Sequence, residues 1–162
     1  MHAGASEAQL NYIAGLFDGE GSAGVYRPLQ LLASIHMGSR LGVDYVASCF
    51  GGHIDEIHAT KPNCHNLYVL TYSHLRAEAF LRALLPHLIV KREEVELHLE
   101  TWDRLKTTPR WAALSVIKEY RDRLVIISPH RTGHNGRRTR GPDKHPRKQR
   151  CARIPASSSF QL

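Results

Sequence analysis

Two carboxylates and three glycines crowd into one short stretch of this chain, and together they could do phosphate chemistry. Residues 13–21 read Ile-Ala-Gly-Leu-Phe-Asp-Gly-Glu-Gly, so Asp18 and Glu20 alternate with Gly19 and Gly21. Leu10, Ile13, Ala14 and Phe17 fall at i, i+3, i+4 and i+7, the spacing of an amphipathic helix. The acids therefore stand at the carboxyl end of that helix, where the macrodipole is negative and a carboxylate is unfavourable unless a cation offsets it. A divalent ion is such a cation, because Mg2+ takes one or two carboxylates and fills its shell with phosphate and water oxygens. The same helix carries Ala14 and Gly15 together, with Tyr12 beside them. Small residues let a second backbone approach closely, although Gly costs about 1 kcal/mol of helix propensity relative to Ala. On residue types alone, Asp-Gly-Glu-Gly also suits a capped helix with a solvated Glu20, and Lys91 suits a solvated first-turn lysine.

The elements around this stretch follow from periodicity and punctuation. Ser6 and Gln9 form a capping-box pattern that starts the first helix, and the segment Gly19–Gly21 ends it. Residues 22–28 and 30–37 read as two strands turning at Pro28-Leu29. Residues 41–50 read as a helix stopped by Gly51-Gly52, and residues 53–58 and 67–72 as a second strand pair. Ser73 is expected to cap a helix that buries Ala77, Phe80, Leu81, Leu84 and Leu85 and ends at Pro86. Two more helices are expected, over 91–105 and 111–127. The order is α-β-β-α-β-β-α followed by two helices, an α+β domain over residues 1–130 without internal repeats.

With that order in place, the string at 13–21 resembles the signature of the LAGLIDADG homing endonucleases. Phe17 and Gly19 are variants at two of its nine positions. Phe50-Gly-Gly-His-Ile54 is similar to the family's turn between its second helix and third strand. Residues 84–94, Leu-Leu-Pro-His-Leu-Ile-Val-Lys-Arg-Glu-Glu, are similar to its segment ending in a basic residue near the active site. The likeness spans about residues 8 to 105. It implies an αββαββα core with a four-stranded antiparallel saddle sheet, here extended by C-terminal helices. It also implies Glu20 as the metal-binding catalytic acid with Gly19 beside it at the metal, and Lys91 as the lysine of the catalytic pocket. The cofactor would be Mg2+ or another divalent cation. One motif gives one such acid per chain, so the resemblance implies a homodimer joined through Tyr12, Ala14, Gly15 and Asp18. The family often has a polar residue at the end of the second strand; Met37 stands at about that position, with His36 next to it.

The implied partner is double-stranded DNA, read by strand residues that carry donors or acceptors: Tyr26, Arg27, Gln30, Ser34, Asp55, Asn66 and Tyr68. The implied reaction is metal-dependent hydrolysis of both strands of a long pseudo-palindromic site. The alternative is a non-cleaving nucleic-acid-binding protein of the same fold, an RNA-splicing maturase or a DNA-binding regulator, which has no need for an acid at 20 or a base at 91.

Charge distribution bears on the same question. The chain has 162 residues with Lys+Arg 22 and Asp+Glu 15, a net +7. Residues 131–153 hold nine basic residues, Arg137, Arg138 and Arg140 among them, against Asp143 alone, a surplus of +8, while residues 1–130 sum to −1. Residues 131–162 are therefore expected to be a disordered basic tail that neutralises phosphates, or else a solubilising appendage. No run approaches the roughly 18 apolar residues of a membrane span. The N-terminus lacks a basic and then apolar leader, so a cytoplasmic (bacterial or phage-encoded) or organellar location is expected, with no targeting signal. Three cysteines, Cys49, Cys64 and Cys151, argue by their odd number and spacing against a disulfide framework, and Cys49/His53 or His58/Cys64/His65 match no closed zinc pattern.

Overall fold

The computed structural model describes residues 5–26, 30–59 and 66–129. Helix α1 spans Glu7–Glu20, with the capping box formed: the Ser6 hydroxyl accepts from the Gln9 N–H and the Gln9 side chain accepts from the Ser6 N–H. Strands β1 (Gly21–Tyr26) and β2 (Gln30–Met37) follow, then α2 (Arg40–Phe50), β3 (His53–Ile57), β4 (Leu67–Ser73) and α3 (His74–Leu84). A short 3-10 turn at Leu85–His87 leads to α4 (Arg92–Thr107) and α5 (Ala113–Ile127). Gly51 and Gly52, at φ of 70° and 117°, stop α2 in a conformation that side-chain-bearing residues rarely adopt. Ser73 precedes α3 but makes no side-chain cap, contrary to expectation. Its hydroxyl belongs to a strand still paired with Leu32.

The sheet is antiparallel throughout, in the order β1-β2-β4-β3. One face is apolar. Leu31, Ala33 and Ile35 of β2 alternate inward and join Ala23, Val25, Leu70 and Tyr72 in a single buried cluster with the helices. Phe17 of α1 meets Phe80 of α3 edge-to-face, and Phe80 in turn stacks on Tyr72, so the first helix is fixed against the sheet through aromatic contacts. Gly21 is required at the α1–β1 junction, where a Cβ would collide with the Phe17 ring. Helices α4 and α5 pair antiparallel through Arg104–Glu119 and Arg123–Glu100, each a two-point guanidinium–carboxylate contact. None of the described helices is long and apolar enough to cross a membrane.

Candidate nuclease site and nucleic-acid interface

The carboxyl end of α1 is locked to the amino end of α4 by a reciprocal exchange. One Asp18 carboxylate oxygen accepts from the Ile89 and Val90 N–H groups at 2.8 and 3.1 Å, and the other accepts from Lys91 N–H at 2.9 Å. In return the Lys91 ammonium donates to the Phe17 carbonyl at 2.8 Å and to the Asp18 carbonyl. An anion thus faces the amino end of one helix and a cation the carboxyl end of the other, the favourable sense for both dipoles. Burial pushes the Asp18 carboxyl up, but the three N–H groups and the Lys91 charge outweigh it and hold Asp18 below the usual carboxylate range.

Both Asp18 oxygens are committed within their own chain, and the Lys91 ammonium puts a cation at this helix end. Ala14, expected at a seam between two chains, is instead fully buried in the chain's own core, so its small size serves packing inside the monomer. Gly15 and Gly19 differ. Both are exposed, and a Cβ at either would meet nothing within 4 Å. Tyr12 is 54% exposed and packs edge-to-face on Tyr45 of α2.

Glu20, the last residue of α1, is exposed, and its side chain makes no hydrogen bond or ion pair with any described residue. Lys91 Nζ sits on the Asp18 and Phe17 carbonyls, two and three residues before Glu20. Among the described residues no three His, Cys, Asp or Glu side chains gather in a way that could hold a metal. At this helix end a single chain therefore supplies one open carboxylate, with the Gly19 backbone adjoining it.

Strand register settles which nominated residues share the uncovered face of the sheet. Opposed residues in an antiparallel pair point the same way. Ser22, Ser34, Thr71 and His53 are successive partners and form one polar row across all four strands. Tyr26 opposite Gln30, and Asp55 with His36 across Val69, lie on the same face. Tyr68 does not. It pairs with Met37 on the helix-covered face, and its hydroxyl points to Glu56 at 3.4 Å. Asn66 is also spent internally: its amide donates to Glu56 at 2.7 Å and accepts from Ala59 N–H. Arg27, Arg137, Arg138 and Arg140 lie outside the described residues.

Sequence reasoning noted His36 beside Met37 but missed Ser22, His53 and Thr71. The alternation of Leu31, Ala33 and Ile35 carried the signal for β2, and parity on the other strands needed the pairing. Met37 tucks its sulfur against Gly42, while His36 is the exposed polar residue at the end of β2, accepting or donating with the Ser34 hydroxyl at 3.0 Å.

No protein-family model matches the chain, and no curated protein does. Solved structures do match. The homing endonuclease I-CvuI, in complex with DNA in the presence of 2 mM Mg, superposes with a TM-score of 0.57 at 17% identity, over 75% of this chain and 82% of that one. A second I-CvuI complex, with its target in 2 mM Ca, gives 0.55 at 17% identity over 74% and 82%. The archaeal intron-encoded homing endonuclease I-Vdi141I, complexed with DNA, gives 0.54 at 22% identity over 86% and 90%. The chain has the LAGLIDADG homing endonuclease fold.

Proposed function

We propose that this protein is a LAGLIDADG homing endonuclease: a divalent-metal-dependent, site-specific DNA endonuclease that works as a homodimer. The observation that carries the reading is Glu20, an exposed carboxylate at the end of α1 with no partner among the described residues, beside a lysine ammonium fixed on the same helix end. A carboxylate at a helix carboxyl terminus is poorly placed unless a cation joins it, and the neighbouring Asp18 already has one.

The donor set fits Mg2+ on one condition. One carboxylate and a backbone carbonyl are too few for a closed site but suffice when phosphate and water oxygens, or a second Glu20, complete the shell. A bound divalent ion would neutralise charge on the scissile phosphate and supply an activated water. Within the chain, Glu20 would hold the ion, Asp18 would keep the α1 terminus in place, and Lys91 would set a positive charge where the phosphate becomes more negative.

Two copies joined along the exposed strip Ala8, Tyr12, Gly15 and Gly19 would bring both Glu20 side chains to the base of the helix pair. The two-fold axis would then cross the DNA and favour a pseudo-palindromic site. The uncovered sheet face, with Tyr26, Gln30, Ser34, His36, His53, Asp55 and Thr71, would lie along the major groove, which a β-structure can enter and read. The basic segment 131–153 would add phosphate neutralisation to a body of charge −1.

Incubation of the full chain with a randomised duplex library and Mg2+, followed by sequencing of cut ends, tests the reading. Paired cuts in a near-symmetric site are expected, with none from Glu20→Gln. Retention of particular duplexes without cutting would support the non-cleaving alternative instead.

A further inference from the structure

Strand β1 has a neighbour on one side only, so alternate N–H and C=O groups along its outer edge lack ladder partners. Two side chains from the C-terminal helices take that place. Tyr120 of α5 accepts from the Val25 N–H at 3.2 Å, and the His98 ring of α4 hydrogen-bonds to the backbone of Ala23. Behind them runs a polar chain. The Tyr120 hydroxyl lies 3.0 Å from His98 Nδ1, His98 Nε2 lies 3.2 Å from Glu94 Oε1, and Ser128 donates to Glu94 Oε2 at 3.1 Å. His98 is completely buried, and Glu94 and Tyr120 nearly so.

Donor counting orders the protons. The Val25 N–H can only donate, so the phenol oxygen accepts there and gives its one proton to Nδ1. Nε2 then carries the ring's one proton, shared between the Ala23 backbone and the Glu94 carboxylate, which also accepts from Ser128. Burial keeps the ring neutral, consistent with this arrangement. Every group has a partner, and no buried side-chain polar atom among the described residues is left without one. None of these side chains lies on the uncovered face of the sheet.

We propose that His98 and Tyr120 are positioning residues that clamp the free edge of β1 and thereby fix both ends of it: Glu20, the residue just before the strand, and Tyr26, its last residue. Ala23 and Val25 stand three and five positions after Glu20 on a strand whose ladder hydrogen bonds run to β2 alone. A carboxylate that must share an ion with a phosphate tolerates little displacement, since a misplacement of about 1 Å can cost on the order of a hundredfold in rate. The clamp itself stands on geometry; its consequence for Glu20 rests on the nuclease reading above.

Two measurements on the full chain separate these parts. In amide hydrogen exchange, Val25 should be protected in the wild type, and Tyr120→Phe, which removes one oxygen, should speed its exchange about tenfold relative to β4 amides. Equal exchange in both proteins overturns the clamp. In single-turnover cleavage with excess protein and Mg2+, Tyr120→Phe should lower the rate constant roughly tenfold while duplex binding in Ca2+ holds. His98→Gln, which keeps a donor and an acceptor, should recover much of the rate that His98→Leu loses. A purely structural role would reduce the active fraction and leave the rate constant alone, and that result overturns the positioning claim. If the wild type cuts no duplex in the library, the proposed function fails and the link to Glu20 with it, while the exchange experiment still decides the clamp.

Discussion

At the carboxyl end of α1 a glutamate is exposed with no hydrogen bond to any described residue, whereas early in α4 another is buried and accepts from His98 and Ser128. The two side chains are chemically identical. Glu94 is enclosed by donors from its own chain, so its charge is spent on holding α4, α5 and β1 together. Glu20 stands beside a terminus that Lys91 and Asp18 already stabilise, so the fold does not need its charge. A carboxylate that contributes little to stability is available for a ligand, and that is the lesson of the contrast.

The strongest way to break the contrast is to neutralise each acid in turn. Glu20→Gln should abolish cleavage, a loss on the order of a thousandfold or more if the ion goes with the charge, with the urea midpoint and the binding of duplex in Ca2+ unchanged. Glu94→Gln should lower stability by about 1–3 kcal/mol, because buried donors lose a charged acceptor. Urea titration and a cleavage time course on both variants check this. A destabilised Glu20→Gln that still cuts would reverse the assignments.

The second test uses pH. Burial pushes His98 down to about 4 from its ordinary 6.5. Between those values the unfolded chain binds a proton that the folded chain refuses, so stability rises with pH in this window and is lost as pH falls from about 6.5 to 4. The expected loss is about 3 kcal/mol. Urea unfolding at pH 7 and pH 4.5 should show it, and His98→Gln should flatten it. Asp18, Glu78, Glu100 and Asp103 are held below their usual range by hydrogen bonds and nearby positive charge. Their contribution has the same sign but is lost at lower pH, leaving the upper window to His98.

How much of this was legible beforehand depends on how far apart the interacting residues are in the chain. The capping box at Ser6 and Gln9, the 3.6-residue stripe of α1 and the stop at Gly51-Gly52 are local, and the structure has them at those positions. The exchange between Asp18 and Lys91 joins residues 73 apart, and the bond from Val25 to Tyr120 joins residues 95 apart. No periodicity encodes such pairs. Strand parity failed for Tyr68 because a mixed run such as Leu-Tyr-Val-Leu-Thr-Tyr has no single alternating reading until its partner Met37 is known. Glu20 and Lys91 were singled out only through the family likeness, since each residue type alone suits a solvated helix end.

A smaller effect is expected from the basic segment 131–153, which carries +8 against −1 for residues 1–130. Truncation after His130 should flatten the dependence of log affinity on log salt by about 0.9 for each phosphate that the segment neutralises. The change should be the same on target and scrambled duplexes, because binding to phosphates carries no sequence information. Equal slopes for the two proteins would make the tail a passive appendage.

The smallest expected effect sharpens the α1 side of the contrast. Gly15 lies inside a helix with open space where a side chain would go. In the isolated chain Gly15→Ala should therefore stabilise by about 1 kcal/mol, the propensity difference between the two residues. Close packing of a second copy on this strip predicts the opposite at the level of assembly, since an added methyl must be accommodated between two backbones. Sedimentation equilibrium should show weaker self-association while urea unfolding at low concentration shows a more stable chain. Ala14, buried in the same helix, offers the internal comparison: enlarging it to Val should destabilise the chain itself. A Gly15→Ala protein that gains stability and associates as the wild type does would mean that the strip is not where two copies meet. Glu20 would then need its second carboxylate from elsewhere.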